Sequence, residues 1–224
     1  MCINILVLIK QWRNTMNKIM LIGLSILSLS QVASANISGT IGVESEYFFR
    51  GESQGEGTAM QMSLHGEKSG WFGGVWASEI DHEVSSWEHN FYGGYSFDLS
   101  EDTSFYGGVI DYDYDSHWLK VGPDAENNKN DLKEYFIGSS YKSVSLEHYV
   151  DSDNSDLTYT QFGYDLPLGL AMIDLMLTWG RHNTGEDVLG LKGTKAFGDW
   201  DISIMAMKRD EMKSHSSLGI HYNF

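Results

Sequence analysis

The carboxyl-terminal segment, residues 216–224, most constrains how this chain folds. Leu218, Ile220, Tyr222 and Phe224 lie on one side of an extended strand, and small or polar residues lie on the other. A period of two with one apolar side predicts a β-strand. The apolar side continues to the last residue, which is typical of a strand that closes a barrel with its outer face against lipid.

The start of the chain predicts export. Lys18 precedes an apolar run over residues 19–29, and an Ala-Ser-Ala sequence ends at Ala35. This order describes a secretory signal peptide, cleaved here after Ala35. The run is shorter than the roughly 20 residues that a helix needs to span a bilayer. Met16 is a better translation start than Met1, because the segment from Met16 is already a complete signal, although a long basic segment before it is the alternative.

Removal of residues 1–35 leaves a strongly acidic chain without cysteine. The only cysteine is Cys2, so a disulfide framework, thiolate catalysis and cysteine zinc sites are excluded. Twelve basic and 31 acidic residues remain, which gives a net charge of −19. A surface with this charge repels the phosphate backbone of nucleic acid, which we exclude as a partner. Residues 36–224 fit a single domain.

Strand patterns recur along the whole mature chain. Trp200, Ile202 and Ile204, for example, lie opposite Asp201 and Ser203. Segments of about ten residues are long enough for tilted membrane strands, and an even number brings both termini to one end of a barrel. The sequence therefore predicts an all-β fold, a single antiparallel transmembrane β-barrel of about 12 strands. Its segments are approximately 37–48, 58–67, 71–81, 87–98, 103–113, 133–142, 143–151, 156–166, 169–182, 187–197, 200–208 and 215–224.

The connections between these strands alternate in length. Short ones lie near 68–70, 100–102, 142–143, 166–169 and 197–199. Longer or more polar ones lie near 51–57, 82–86, 114–132, 151–156, 183–186 and 209–214. Short periplasmic turns and longer extracellular loops are the asymmetry expected of bacterial barrels. The structural alternative is a soluble sandwich, which could bury the repeated apolar faces only by pairing two sheets.

One motif and several later segments resemble a known family. Residues 45–54 read SEYFFRGESQ, and this stretch resembles the start of the TorF family of porin-like bacterial proteins. Similar segments follow at residues 69–78, 92–95 and 106–110, and at Glu134-Tyr135 with Gly138. The resemblance covers the first two-thirds of the mature chain, and Gly-Glu-Gly at 55–57 departs from it where a proline-containing segment is expected. It implies an outer-membrane barrel with a pore function and supplies no catalytic residues.

A pore needs polar side chains on its inner face. The inner-face and selectivity candidates are Glu44, Glu46, Arg50, Gln61, His65, Glu67, Glu79, Glu88, Asp98, Glu147, Asp174 and Asp201. A mostly acidic ring favours cations or neutral solutes and repels anions. The alternative is that these carboxylates pair with Arg50, Lys192 or one another and plug a narrow barrel. For Arg50 we expect an ion pair at the outer rim, with a contact to solute as the alternative.

The sequence motifs give little support for metal binding or catalysis. Two aspartate runs (Asp111, Asp113 and Asp115; Asp151, Asp153 and Asp156) suggest calcium, but neither has the glycine turn and distant glutamate of an EF-hand loop. We therefore assign no metal and no cofactor and expect acidic loops that divalent ions bridge loosely. The sequence has no HExxH motif, and its GxSxG match, GESQG at residues 51–55, falls in a predicted loop and is not a nucleophile elbow. Ser145 and Tyr149 are out of phase with His148, so we predict no enzyme and keep an outer-membrane hydrolase as a third alternative.

The sequence as a whole predicts a porin in the outer membrane of a Gram-negative bacterium. Its expected work is passive diffusion of small hydrophilic solutes through an acidic, cation-preferring lumen. The main alternative is a non-conducting structural or adhesion-type barrel. Expected partners are outer-membrane lipid and lipopolysaccharide, small solutes or cations, and the barrel assembly machinery. The terminal aromatic strand resembles the signal that this machinery reads, which assigns that role to Leu218, Ile220, Tyr222 and Phe224.

Overall fold

The computed structural model describes residues 35–81, 86–114, 132–167, 173–210 and 212–224. Within it, residues 36–224 form one compact unit. The predicted signal peptide up to residue 34, Asp115, and parts of several predicted loops lie outside the described residues. No helix among the described residues is long and apolar enough to cross a membrane.

The described residues form a closed antiparallel barrel of twelve strands and one small hairpin. The hairpin consists of β2 (Phe48–Phe49) and β3 (Glu52–Ser53). The barrel strands are β1 (Asn36–Glu44), β4 (Ala59–Lys68), β5 (Trp71–Glu79), β6 (Trp87–Ser100), β7 (Thr103–Asp113), β8 (Leu132–Tyr141), β9 (Val144–Asp151), β10 (Thr158–Leu166), β11 (Asp174–His182), β12 (Asp187–Phe197), β13 (Trp200–Arg209) and β14 (His215–Asn223). Consecutive barrel strands pair, and β14 closes the ring on β1. The predicted fold class is confirmed, and the sandwich alternative is wrong.

The predicted strand boundaries hold to within about two residues except in two places. The predicted strand 169–182 corresponds to β11, which begins at Asp174, and residues 169–172 lie outside the described residues. The first predicted strand, 37–48, is too long, because β1 ends at Glu44. Residues 45–58 leave the wall because they pair with themselves: Phe48 lies opposite Ser53, and Phe49 opposite Glu52. We call residues 45–58 the inner hairpin.

The two ends of the barrel differ in their connections, as predicted. The short-turn end carries two-residue turns such as Ser69-Gly70, where both residues have positive φ (52° and 84°). This conformation matches the twist of a tight hairpin. The long-loop end carries the inner hairpin and the connections around 80–86, 114–131, 152–157, 183–186 and 210–214. Both Asn36 and Phe224 lie at the short-turn end, as an even strand count requires.

The outer face of the barrel is apolar. Ile137, Ile204 and Leu218 remain 66%, 62% and 54% exposed. Exposed aromatic side chains gather at the short-turn end: Trp71, Tyr95, Phe97, Phe105, Tyr141, Phe197, Trp200, Tyr222 and Phe224. A water-soluble domain buries such residues, and contiguous exposed apolar surface marks contact with a partner or a membrane. The large apolar side chains of this barrel therefore point mostly away from its interior.

The carboxyl-terminal strand closes the barrel with its apolar side outward. The four residues of the predicted assembly signal share the outer face of β14. Phe224 extends the ladder, because its backbone N–H and C=O each bond to Gly39, at 3.0 and 2.9 Å. The Tyr222 ring packs 5.1 Å from that of Trp200. Recognition of this strand by assembly machinery stays a prediction.

Candidate functional site in the barrel interior

The inner hairpin crosses the interior from one wall to the opposite one. It departs from β1, and in a ring of twelve strands β9 lies opposite β1. Phe48 is buried beside His215 on β14, with ring centroids 5.2 Å apart. Arg50, at the tip, reaches side chains on β8, β9 and β10. The hairpin therefore narrows the bore at the long-loop end.

Arg50 forms a buried two-pronged ion pair with Glu134 on β8. Its Nη1 and Nη2 donate to Oε1 and Oε2 at 2.8 and 2.7 Å. The Tyr112 hydroxyl donates to Oε2 at 3.1 Å. The two side chains keep only 12% and 4% of their exposure. Charge-assisted bidentate bonds in such a setting are strong and fix the geometry of both groups.

Three aromatic rings complete a cage around the guanidinium. The Cζ atom of Arg50 lies 4.3 Å from the ring centroid of Tyr159 and 4.8 Å from those of Phe49 and Tyr149. Cations over aromatic faces at this distance are attracted by the ring quadrupole. Burial acts against the charge of Arg50, but the hydrogen bonds and the charge of Glu134 outweigh burial and raise the pKa of Arg50. Arg50 therefore keeps its positive charge.

The hairpin tip adopts a backbone conformation that arginine rarely takes. Arg50 and Gly51 have φ of 47° and 85°, the left-handed values of a type I′ turn. A side chain at the first of these positions costs free energy, which surrounding contacts must offset. Gly51 lies so close to Val188 and Arg209 that a β-carbon would collide with them. Arg209 also pairs with Glu52.

A cavity at the long-loop end leads to this ion pair. Its volume is about 230 Å³, and Arg50, Glu134 and Arg209 line it. His182 also lines it and packs 4.7 Å from the ring of Tyr159. Within the described part of the chain, the buried Nε2 atom of His182 has no hydrogen-bond partner. The cavity therefore offers both charge and an unused polar atom to an incoming solute.

A second polar cluster lies where β1 meets β14. Glu44 accepts hydrogen bonds from Ser217 and Ser203, at 2.8 and 3.3 Å. His221 lies between two carboxylates, 3.2 Å from Glu44 and 2.9 Å from Asp201. This cluster joins the first and last strands through their inner faces.

A polar cavity of about 280 Å³ adjoins that cluster. Lys192, Asp201 and His221 supply charged or titratable groups to it, and Thr40 and Asn223 are among its uncharged polar lining. The barrel interior therefore contains a cavity with charged and polar lining near each of its two ends.

Large inward side chains lie flat over glycines of neighbouring strands. Tyr92 covers Gly74, and Tyr106 covers Gly138, so that a β-carbon on either glycine would collide with the ring. Phe72 over Gly94, Phe136 over Gly108, Tyr159 over Gly180 and His221 over Gly42 repeat the arrangement. Several of these rings form a continuous aromatic surface across β5–β11, with the Phe136 and Tyr149 centroids 5.9 Å apart. The interior is therefore both aromatic and acidic.

Most of the predicted inner-face residues are engaged with neighbouring side chains. Glu147 accepts from Tyr106 at 2.7 Å, and Glu88 is fully buried and accepts from Asn90 at 2.9 Å. Other partners are Glu46 with His215 at 3.2 Å, Gln61 with Ser78 at 3.4 Å, and His65 with Tyr92 at 3.0 Å. Glu67, Asp98 and Asp174 are exposed at the short-turn end. Glu44 and Asp201 meet at His221, so the predicted ring is instead a set of separate clusters.

Two predicted positions differ from the structure. Glu79 has the outward phase of β5, shared with the exposed Trp71 and Val75, and accepts from the backbone N–H of Met60 at 2.9 Å. It therefore does not line the interior. Arg50 forms the predicted ion pair, but inside the barrel rather than at its rim, because the inner hairpin folds inward.

Sequence reasoning missed the cage itself. Glu134, Tyr112, Tyr149 and Tyr159 were not among the candidates. A signal was present for Glu134, because it alternates with Tyr135, which is 58% exposed and outward. Tyrosines in the inward phase carry no charge, so charge and polarity alone do not identify them as inner-face residues.

The structure also places the residues that were considered for hydrolase activity and for calcium binding. Ser145 points inward, whereas His148 shares the outer phase of Leu146 and contacts Thr160 at 2.9 Å. Asp151 binds its own loop, accepting from the backbone N–H groups of Asp153 and Asn154 at 2.7 and 2.9 Å. In the described ranges, no three His, Cys, Asp or Glu side chains are grouped to hold a metal ion.

Comparison with known proteins supports the fold. Residues 30–219 match the profile of a family described as "Bacterial protein of unknown function (Gcw_chp)". The solved structure of a KdgM porin in complex with disordered oligogalacturonate has a TM-score of 0.58, with 8% identity, over 85% of this chain and 99% of that one. A second solved structure, of a KdgM porin, also has a TM-score of 0.58, with 10% identity, over 84% of this chain and 99% of that one. No curated protein sequence matches this chain. At such low identity these structures show a shared barrel fold.

Proposed function

This chain belongs to the Gcw_chp family of bacterial proteins, and from its barrel we propose that it is a narrow porin of the outer membrane of a Gram-negative bacterium. It lets small hydrophilic solutes diffuse through the interior. Residues 1–35 serve as a signal peptide that is cleaved after Ala35. The observation that carries this proposal is a closed barrel with apolar side chains outside and cavities lined by charged side chains inside.

The outer face supports a membrane location. Aliphatic side chains such as Ile204 and Leu218 are exposed along the wall, and aromatic side chains concentrate at the short-turn end. Lipid-facing apolar bands edged by aromatic girdles are typical of outer-membrane barrels. The short-turn end then faces the periplasm, and the long-loop end faces the outside.

The charges of the interior favour cations and neutral solutes over anions. The described interior carboxylates include Glu44, Glu46, Glu88, Glu134, Glu147 and Asp201, whereas the interior cations include Arg50, Lys192 and Arg209. Carboxylates that line a pore attract cations. KdgM was solved with an anionic sugar chain, and we expect this barrel to discriminate against such a solute.

Planar-bilayer measurements on refolded residues 36–224 test the porin. A mobility shift on boiling first verifies folding. We expect discrete conductance steps and, in a salt gradient, a reversal potential of the sign that cation preference gives. Asp201→Asn should weaken that preference because Asp201 lines the cavity at the short-turn end. Asp199→Asn, in the exposed turn beside it, is the matched control. Equal cation and anion permeability in the unaltered protein would contradict the charge preference.

A non-conducting structural barrel is the second candidate. The inner hairpin favours it, because Phe48 is buried and Arg50 is locked to Glu134 on the opposite side of the bore. The two candidates predict different results in the same experiment. A protein that shifts on boiling and stays electrically silent at every voltage is the structural barrel.

A further inference from the structure

We propose that the part of the cage supplied by the barrel wall, Glu134, Tyr149 and Tyr159, is a binding site for cationic solutes that carry a guanidinium group. Arg50 is its built-in occupant. Solutes that enter the barrel displace Arg50 and so release the inner hairpin. This proposal rests on the porin function and adds the class of solute that the porin prefers.

The cage is specific in its chemistry. Glu134 offers two oxygens to two parallel N–H donors, and the Tyr112 hydroxyl holds the carboxylate in place. The rings of Tyr149 and Tyr159 cover the guanidinium of Arg50. A carboxylate fork combined with aromatic faces recognises planar cations by both hydrogen bonds and cation–π attraction.

The backbone conformation of Arg50 indicates that its side-chain contacts hold the hairpin tip in the cage. Arg50 has a φ of 47°, in the left-handed region that asparagine or glycine normally fills at this position of a type I′ turn. The contacts of its side chain offset that cost. A solute that takes over those contacts therefore removes the main reason for the tip to remain in the cage.

Solute can approach the cage from the long-loop end. The cavity of about 230 Å³ there includes Arg50 and Glu134 in its lining, together with Glu52 and Asp151. Its wall also presents the buried Nε2 atom of His182, which has no hydrogen-bond partner in the described ranges. This atom is placed to contact a polar group on the rest of the solute.

The test is calorimetric titration of the refolded protein in detergent with methylguanidinium chloride, with sodium chloride as the ionic-strength control. Binding does not require conduction, so a silent barrel leaves this test intact. Arg50→Ala should bind methylguanidinium at least about tenfold more tightly than the unaltered protein, which must first displace Arg50. Arg50→Ala combined with Glu134→Gln should lose that binding. Equal affinity of the Arg50→Ala and unaltered proteins, or undiminished binding by the double variant, overturns the proposal.

Two controls isolate the cage. Arg181→Ala removes an exposed arginine that pairs with Asp187 and does not line the cavity, so it leaves the cage occupied and should not gain the tenfold increase. If Arg50→Ala fails to shift on boiling, Ser53→Cys supplies a readout with Arg50 in place, since the mature chain has no other cysteine. Methylguanidinium, but not sodium, should speed thiol labelling at position 53. Unchanged labelling overturns the proposal as well.

Discussion

Individual glycines set how closely the large inward side chains approach the barrel wall. The His221 ring lies over Gly42, so the imidazole reaches both Glu44 and Asp201 from the neighbouring strand. Gly42 has an ordinary φ, so glycine is needed here for the close approach of the ring and not for an unusual backbone conformation. Several of the 24 glycines in this 224-residue chain therefore have a packing role at inward positions.

Gly42→Ala should destabilise the barrel by about 1–3 kcal/mol, the usual cost of forcing an extra methyl group into a filled site. The added β-carbon would overlap the His221 ring and push it from its carboxylate partners. The measurement is the urea midpoint of the mobility shift. Gly66→Ala is the matched control, because nothing lies within 4 Å of a β-carbon there. Equal midpoints for the two variants would contradict the packing role.

At the scale of elements, the inner hairpin decides whether the bore is open. Its base is narrow, because the Gln54 N–H donates to the Tyr47 carbonyl at 2.9 Å. Its tip is fixed by Arg50 and, through Glu52, by Arg209. An element with a narrow base and a fixed tip can be removed without changing the strands of the barrel wall.

Replacing residues 48–53 with a short Gly-Ser linker should raise single-channel conductance several-fold, because the segment that crosses the lumen is gone. Glu134→Gln is included in this variant, since removal of Arg50 alone leaves a buried charge without its partner. Shortening the exposed loop at residues 153–156, at the same end of the barrel, is the control and should change conductance far less. Unchanged conductance in the linker variant would show that the hairpin does not limit flow.

At the scale of the whole molecule, the barrel reverses the usual arrangement of a folded domain. In the described ranges the buried large apolar side chains are few, whereas Ile137, Ile204 and many others are exposed. Such a surface is favourable only where apolar solvent meets it. Lipid is therefore expected to contribute to the stability of this fold.

Ile204→Lys should reduce insertion into lipid vesicles. A lysine on the lipid face near the bilayer midplane makes the free energy of insertion less favourable by about 2–4 kcal/mol. Ile204 is 62% exposed in the middle of β13. The measurement is the fraction of refolded protein that shifts on boiling after dilution from urea into vesicles. Asp199→Lys places the same charge in a short turn and should insert normally. Equal yields for both variants would argue against a lipid-facing wall.

Local alternation along the strands was readable from the chain alone. A period of two fixes which side chains share a face, so the twelve strands, their short and long connections and the outward side of β14 follow from neighbouring residues. Glu79 was misplaced because its charge was given more weight than its phase with Trp71 and Val75. The first strand is predicted to extend to residue 48 because Glu46 and Phe48 continue the alternation of β1.

Tertiary structure decided what lies across the barrel. Arg50 and Glu134 are 84 residues apart, and they meet only because the ring closes and brings β8 near the side opposite β1. Sequence reasoning supplied the expectation of an ion pair for Arg50 but not its partner or its depth. Local periodicity specifies the wall of this barrel, whereas contacts through the lumen depend on closure, and closure joins residues that no short stretch of sequence brings together.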